Sequence, residues 1–324
     1  MEQRHLGRTG LRVSRLGLGT MTWARDTDEA EAGDQLKTFL DGGGNLVDTA
    51  DVYADGEAEV LLGRLVEGIR SEVVIATKAV SVPRSERRFD ASRRHLLAAL
   101  DSSLARLGTD YVDLWQLHAY DDNTPIDETL AAVDAAVASG KARYAGVSNY
   151  SGWQLAATAS WQRAVPGRAP IASVQMEYSL LQRGIEREVA PAARSLGIGL
   201  LAWSPLGRGV LTGKYRSGTP ADSRGASDRY EAYVQPYLDP PARRIVDAVA
   251  TASDGLGVAP VEVALAWVRD RPGVTAPIVG ARTAAQLRGA LAAEDLTLPQ
   301  TIREALDDVS APYLGYPDHG WNRG

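Results

Sequence analysis

The chain alternates apolar strand-like runs with amphipathic helical stretches almost from end to end, and that alternation leaves few folds open. Core-strand runs begin near residues 16, 45, 73, 112, 143, 171, 198 and 276. Single helical stretches separate most of them, at 28–41, 57–67, 90–107, 126–138, 151–164 and 185–195. Helices near 241–253 and 260–269 precede the last run, and helices at 283–292 and 299–309 follow it. Strands joined through helices pair in parallel by right-handed crossovers, and eight such units can close into a (β/α)8 TIM barrel. An open, doubly wound sheet is the competing arrangement. In the 90–107 stretch, Leu96, Leu97, Leu100, Leu104 and Leu107 form one apolar stripe and Gly108 ends the helix.

Two segments stand outside the alternation. Within residues 2–15, RHL and LRVSRL flank the turn GRTG, so the sequence predicts a β-hairpin placed to plug the bottom of the barrel. The polar stretch 204–240, after the seventh strand, is too long for a plain connection. Its RSGTPADSRGASDRY composition suits either a flap over a phosphorylated ligand or a tolerated surface insertion. At 324 residues, one barrel domain spanning 1–324 is expected.

Composition narrows the function classes. With 35 basic against 41 acidic residues the formal charge is −6, which argues against nonspecific binding to nucleic acid or anionic membranes. Cysteine is absent, which excludes disulfides, thiolate nucleophiles and Cys-ligated zinc. The histidines His5, His95, His118 and His319 show no i, i+4 pair, so no metal site is expected. The N-terminus has no apolar leader and no stretch has the length of a membrane span, so the expected location is cytoplasmic. GLG at 17–19 lacks the third glycine of a dinucleotide fingerprint, and Gly42–Gly44 reads as a helix end. RSERR at 84–88, with Arg93 and Arg94, reads as a solvated face.

Four polar residues fall where barrel strands stop, the usual place of chemistry in this architecture. Asp48 ends the run beginning at Asn45, and Tyr53 lies five residues on, in the loop. Lys78 ends VVIATK and His118 ends DLWQLH. Singly, each has an ordinary explanation: a helix cap, a packing phenol, an ion pair, a structural imidazole. Together, at the same end of three neighbouring strands, they point to one site. A buried lysine needs a partner, which Asp48 supplies. A phenol beside that ammonium is expected to deprotonate more readily, and so to exchange a proton with an alkoxide. His118 could hydrogen-bond the same oxygen. The set suits carbonyl–alcohol interconversion but contains no reductant, so a bound cofactor must supply the hydride.

These residues, with the blocks LGRTGLRVSRLGLGTMTW, DTADVY, GVSNYS and WSPLGRGVLTGKY, resemble the aldo-keto reductase family from Leu6 to about Ala290. The resemblance is to the branch that holds bacterial reductases and potassium-channel β subunits. It implies a tetrad of Asp48, Tyr53, Lys78 and His118, NADPH rather than NADH as cofactor, transfer of the pro-R hydride, and a small-molecule carbonyl substrate. It implies that Ser148, Asn149 and Gln175 bind the nicotinamide carboxamide, that Trp203 stacks on its ring, and that Thr20 and Met21 touch that side. Ser204, Pro205, Leu206, Gly207, Arg208 and Lys214 would follow the pyrophosphate, with Arg224 in the flap. Gly280, Arg282 and Gln286 would hold the adenosine end, with Arg282 suited to a 2′-phosphate. Where the family usually shows Glu-Asn after Gln286-Leu287, this chain has Gly289-Ala290, so weaker adenine contacts are expected there. The resemblance leaves two alternatives: a cofactor-occupied regulatory module like the channel subunits, which replace the histidine by Asn, and physiological alcohol oxidation. Trp23 and Trp153 are candidates for the substrate mouth, whereas Trp115, Trp161 and Trp267 read as packing. The aromatic tail PYLGYPDHGWNRG either crosses that mouth or docks elsewhere.

Overall fold

The computed structural model describes residues 1–221, 223–227, 231–313 and 315. A short hairpin comes first, β1 (Gln3–His5) antiparallel to β2 (Arg12–Ser14), in register from Gln3↔Ser14 to His5↔Arg12. The barrel follows with β3 (Gly17–Gly19), β4 (Leu46–Asp48), β5 (Val74–Ala79) and β6 (Val112–Leu117). It continues with β7 (Ala142–Ser148), β8 (Ile171–Glu177), β9 (Gly199–Trp203) and β10 (Val274–Gly280). Neighbours pair in parallel in chain order, and β10 closes the ring by pairing with both β9 and β3. The open sheet is thereby excluded.

The hairpin plugs the barrel as its sequence predicts. Leu6 and Val13 pack, fully buried, with Leu46, Ala76, Leu114, Ala172, Leu201 and Ala276 from the barrel interior. Gly7 makes the fit possible. Its φ of +59° is left-handed, and an added Cβ would lie 2.6 Å from the Gly197 carbonyl oxygen and the Gly199 nitrogen at the start of β9. The plug therefore sits at the N-terminal ends of the strands, leaving the C-terminal ends open.

Helices wrap the ring, with apolar faces inward. The helix Arg93–Leu107 starts at Ser92, whose hydroxyl accepts from the His95 N–H, and stops at Gly108 in the left-handed region (φ +62°). Its Leu96, Leu100, Leu104 and Leu107 are buried, while Leu97 is only partly so. One stretch departs from the sequence expectation. The helix expected at 185–195 is a 3-10 turn, Gly184–Glu186, followed by the short helix Val189–Ser195. Pro191 is the reason, because proline is tolerated only in a helix's first turn. The stretch 204–240 is not a plain loop but a chain of turns and one short helix, Gly207–Thr212, Arg224–Ala226, Glu231–Val234 and Gln235–Tyr237. Among the described residues no single helix is long and apolar enough to cross a membrane.

Candidate active site

The open end of the barrel brings the four predicted polar residues together. Asp48 is the last residue of β4, Lys78 stands one residue before the end of β5, and His118 directly follows β6. Tyr53 opens a 3-10 turn, Tyr53–Gly56, whose Ala54 and Asp55 have left-handed backbones (φ +50° and +57°). The Lys78 ammonium, fully buried, donates to Asp48 Oδ1 at 2.6 Å, to the Thr49 carbonyl at 2.8 Å and to the Tyr53 hydroxyl at 3.4 Å. The Tyr53 ring meets the His118 imidazole edge-on, with centroids 6.2 Å apart. Asp48 is held from its other oxygen as well, accepting from Gln175 Nε2 at 2.7 Å and Gln116 Nε2 at 3.3 Å. Gln116 was not expected. The signal was present, since it lies two residues before His118 on a strand, where alternate residues share a face.

Burial and charge set the protonation states. Burial pulls the Lys78 ammonium down, but Asp48 and the phenol outweigh it and hold the group above its ordinary value. Burial, and then the Lys78 charge, push His118 down to about 3, so its imidazole is neutral at ordinary pH. Its Nδ1 is buried and has no partner among the described residues. Tyr53 corrects the sequence expectation. Burial raises its phenol above the usual value, and the opposing pull of Lys78 does not reverse the sign. At neutral pH Tyr53 is a protonated donor, not a phenolate.

A cavity of about 660 Å³ opens beside these groups, within the ordinary range for ligand sites of about 300–1,000 Å³. Its lining runs from Tyr53, His118 and Asp48 past Ser148, Asn149, Gln175 and Trp203 to Gly280, Arg282 and Gln286. Met21, Ser204, Pro205, Leu206, Arg208 and Lys214 also line it. Two sites of commitment matter. The Asn149 side chain donates to the His118 carbonyl at 2.9 Å and accepts from the Trp203 indole at 3.0 Å, fixing both neighbours. Arg208, expected along a pyrophosphate, is gripped by Glu177 at 2.9 and 2.7 Å and stacks 3.7 Å over the Tyr233 ring. Its charge is already answered. Gly207 is buried in the same turn, Gly207–Thr212. Gly289 and Ala290 line the cavity, as do Tyr233 of the 204–240 stretch and Ala259–Val261 at the start of a helix, which the sequence reading did not single out.

Several expectations need correcting. Trp23 does not reach the mouth. It is fully buried, and its indole donates to Gln35 of the helix Glu29–Asp41 at 3.0 Å. Thr20 is buried with its hydroxyl on the Asp48 carbonyl at 3.2 Å, so it supports the strand end and leaves the lining to Met21 and Thr22. Trp153 is 62 % exposed and stands edge-on to Tyr120, outside the cavity lining. Trp115 and Trp267 are core residues, and Trp161 lies half-exposed beneath Arg168. Arg224 heads a 3-10 turn, but its side chain lies outside the described residues, as do 314 and 316–324 of the aromatic tail.

The rim is conformationally costly. Asn149, Ser204 and Arg208 all have left-handed backbones, and so does Val80, with φ +107°, just beyond β5. A β-branched residue there carries strain of about 1–3 kcal/mol, and such strain gathers at functional sites.

A closed parallel barrel with a buried Lys–Asp pair, a phenol and a neutral imidazole at its C-terminal mouth defines a barrel of the enzyme class, with a ligand cavity at the reacting groups. The sequence pattern of the Aldo/keto reductase family matches residues 15–311, and the chain belongs to that family, whose members generally use nicotinamide cofactors. It is 39% identical over 328 residues to the uncharacterized oxidoreductase YrpG of Bacillus subtilis (strain 168), covering 95% of this chain and 96% of that one. It is 36% identical to a probable voltage-gated potassium channel subunit beta of Oryza sativa subsp. japonica, covering 98% of both chains. A protein of the same description from Arabidopsis thaliana is 36% identical, covering 95% of both.

Proposed function

We propose that this protein is an NADPH-dependent reductase that converts an aldehyde or ketone to the alcohol, reversibly, in the cytoplasm. The observation that carries the reading is the Tyr53–Lys78–Asp48 chain of hydrogen bonds opening onto the cavity that extends to Arg282. The cofactor, when bound, supplies the hydride. Trp203 offers a flat face for its ring, and Ser148, Asn149 and Gln175 offer polar groups for its amide. Ser204–Arg208 and Lys214 belong with the pyrophosphate, and Gly280, Arg282 and Gln286 with the adenosine.

The protein's own groups handle the proton. Tyr53 gives its phenolic proton to the carbonyl oxygen as negative charge develops there. The fixed Lys78 ammonium stabilises the phenolate left behind, and Asp48 keeps that ammonium in place. His118, neutral, can donate a hydrogen bond to the same oxygen and orient it. In the oxidative direction the same groups act in reverse, which requires the phenolate and therefore a higher pH.

Replacing Tyr53 by Phe tests the reading. Carbonyl reduction should fall by about 10²–10⁴ while cofactor affinity, read by tryptophan quenching, stays near that of the parent. Retention of most activity would sink the mechanism. A second reading, a cofactor-holding regulatory partner, draws on the plant channel-subunit relatives. His118 speaks against it, and rapid turnover of any carbonyl compound by the isolated protein would exclude it.

A further inference from the structure

The loop that carries Tyr53 rests on a second set of charged groups that this reaction does not use and that do not line the cavity. Glu59, fully buried on the helix Glu57–Leu65, accepts from the Thr77 hydroxyl and from Arg106, whose Nε and Nη2 lie 2.8 and 2.7 Å away. Arg106, from the helix Arg93–Leu107, also reaches Ser103 at 3.3 Å. Thr77 directly precedes Lys78 on β5. Asp51 completes the set. Its backbone N–H donates to the Lys78 carbonyl at 3.2 Å, and its Oδ1 is sealed from solvent with no hydrogen-bond partner among the described residues.

The Arg106 charge acts on both carboxylates, but the described hydrogen bonds of its guanidinium go to Glu59 and Ser103 and none to Asp51. Asp51 is left with the weaker compensation, and a poorly compensated buried carboxylate takes up a proton. Burial first, then the Glu59 charge, push its carboxyl up to about 7, against the pull of Arg106, the Val52 backbone N–H and Lys78. None of the three titrating groups of the tetrad with a displaced value competes in that range. Tyr53 and Lys78 are held above their ordinary values, and His118 lies near 3.

We propose that Asp51 is a positioning residue whose proton sets how readily Tyr53 gives up its own. With Asp51 protonated, the Lys78 charge acts on the phenol and on Asp48 alone. Ionised, Asp51 places a further negative charge beside the Lys78 strand and opposes the charge that develops on the Tyr53 oxygen. The role rests on the reductase reading; the proton on Asp51 does not.

The test measures reduction at saturating NADPH, and separately the melting temperature, for the parent and for Asp51→Asn between about pH 5 and 9. The parent's kcat should fall a few-fold as pH rises through about 7, and Asp51→Asn should stay at the low-pH plateau throughout. Because the folded-state value lies above the ordinary carboxylate value of 3.8, the parent loses stability as pH climbs from there to about 7. The melting temperature of Asp51→Asn, taken relative to the parent, should therefore climb between about pH 5 and 7 and hold level above that. A parent kcat that is flat across neutrality, or a step that persists in Asp51→Asn, overturns the positioning role. Identical melting profiles overturn the proton. Absence of all carbonyl reduction, with the melting difference intact, overturns the reductase reading and the positioning role with it, and leaves the proton on Asp51.

Discussion

A buried ammonium persists only where its charge is answered, and at Lys78 the answer comes from one carboxylate, one carbonyl and one phenol. Lys78→Met should leave the Asp48 carboxylate with only the Gln175 and Gln116 amides, costing about 3–5 kcal/mol in urea unfolding as well as activity. Tyr53→Phe should stay within about 1 kcal/mol of the parent, since it removes one long hydrogen bond. His118 makes a third test. Its folded-state value near 3 lies below the ordinary 6.5, so the unfolded chain binds the proton first as pH falls. Its contribution to stability is complete above about 6.5 and lost as pH descends towards 3. Unfolding free energies at neutral and mildly acid pH should therefore differ less in His118→Gln than in the parent. At this scale the tetrad was legible, because strand ends can be read from where apolar runs stop. The sign of the Tyr53 shift was not, because the nearby charge is visible in sequence and the depth of burial is not.

Elements were legible where local chemistry punctuates them. Gly108 stops its helix in a left-handed turn, Ser151 caps the helix Gly152–Ala164 through a reciprocal bond with Gln154, and the eight barrel strands all fall where their apolar runs stand. What escaped is set by tertiary contact. Trp23, a candidate for the mouth, is one case. The chain instead turns inward there, with Thr22 and Thr27 hydroxyls bonded to each other and to the Ala281 and Arg282 carbonyls, which carries the indole onto Gln35. Gly289 gives an element-scale prediction. It lies inside the helix Ala284–Leu291, its backbone is not left-handed, and an added Cβ would meet nothing within 4 Å. Gly289→Ala should stabilise the protein by about 0.5–1 kcal/mol, through helix propensity and a less disordered unfolded chain. Thermal unfolding without ligand would show it, and a loss of stability would mean that the cavity wall is tighter than its geometry implies.

Across the whole molecule, one cavity ties together parts of the chain far apart in sequence: Asp48, Tyr53 and His118 at or just beyond the ends of β4 to β6, the polar ends of β7 to β9, the 204–240 stretch, and the helix Ala284–Leu291. A ligand spanning it would bind only the folded chain, and so would stabilise it by mass action, by about 2.7 kcal/mol at a hundredfold excess over Kd, with a matching rise in melting temperature. The size of that rise for two cofactors measures which one the cavity prefers. The cations along it are not equivalent. Arg208 is neutralised by Glu177, so it adds little net charge for a phosphate, whereas no hydrogen bond or ion pair engages the Arg282 guanidinium among the described residues. Arg282 also adjoins the start of a helix, where backbone N–H groups and the helix dipole favour an anion. The parent should therefore melt at a higher temperature with NADPH than with the same concentration of NADH. Arg282→Ala should remove most of that difference while leaving the NADH-bound temperature nearly unchanged. Equal losses for both cofactors would place the 2′-phosphate elsewhere. No rise with either would show that Gly289 and Ala290 leave the adenosine end too open to hold a dinucleotide, and the reductase reading would fall with it.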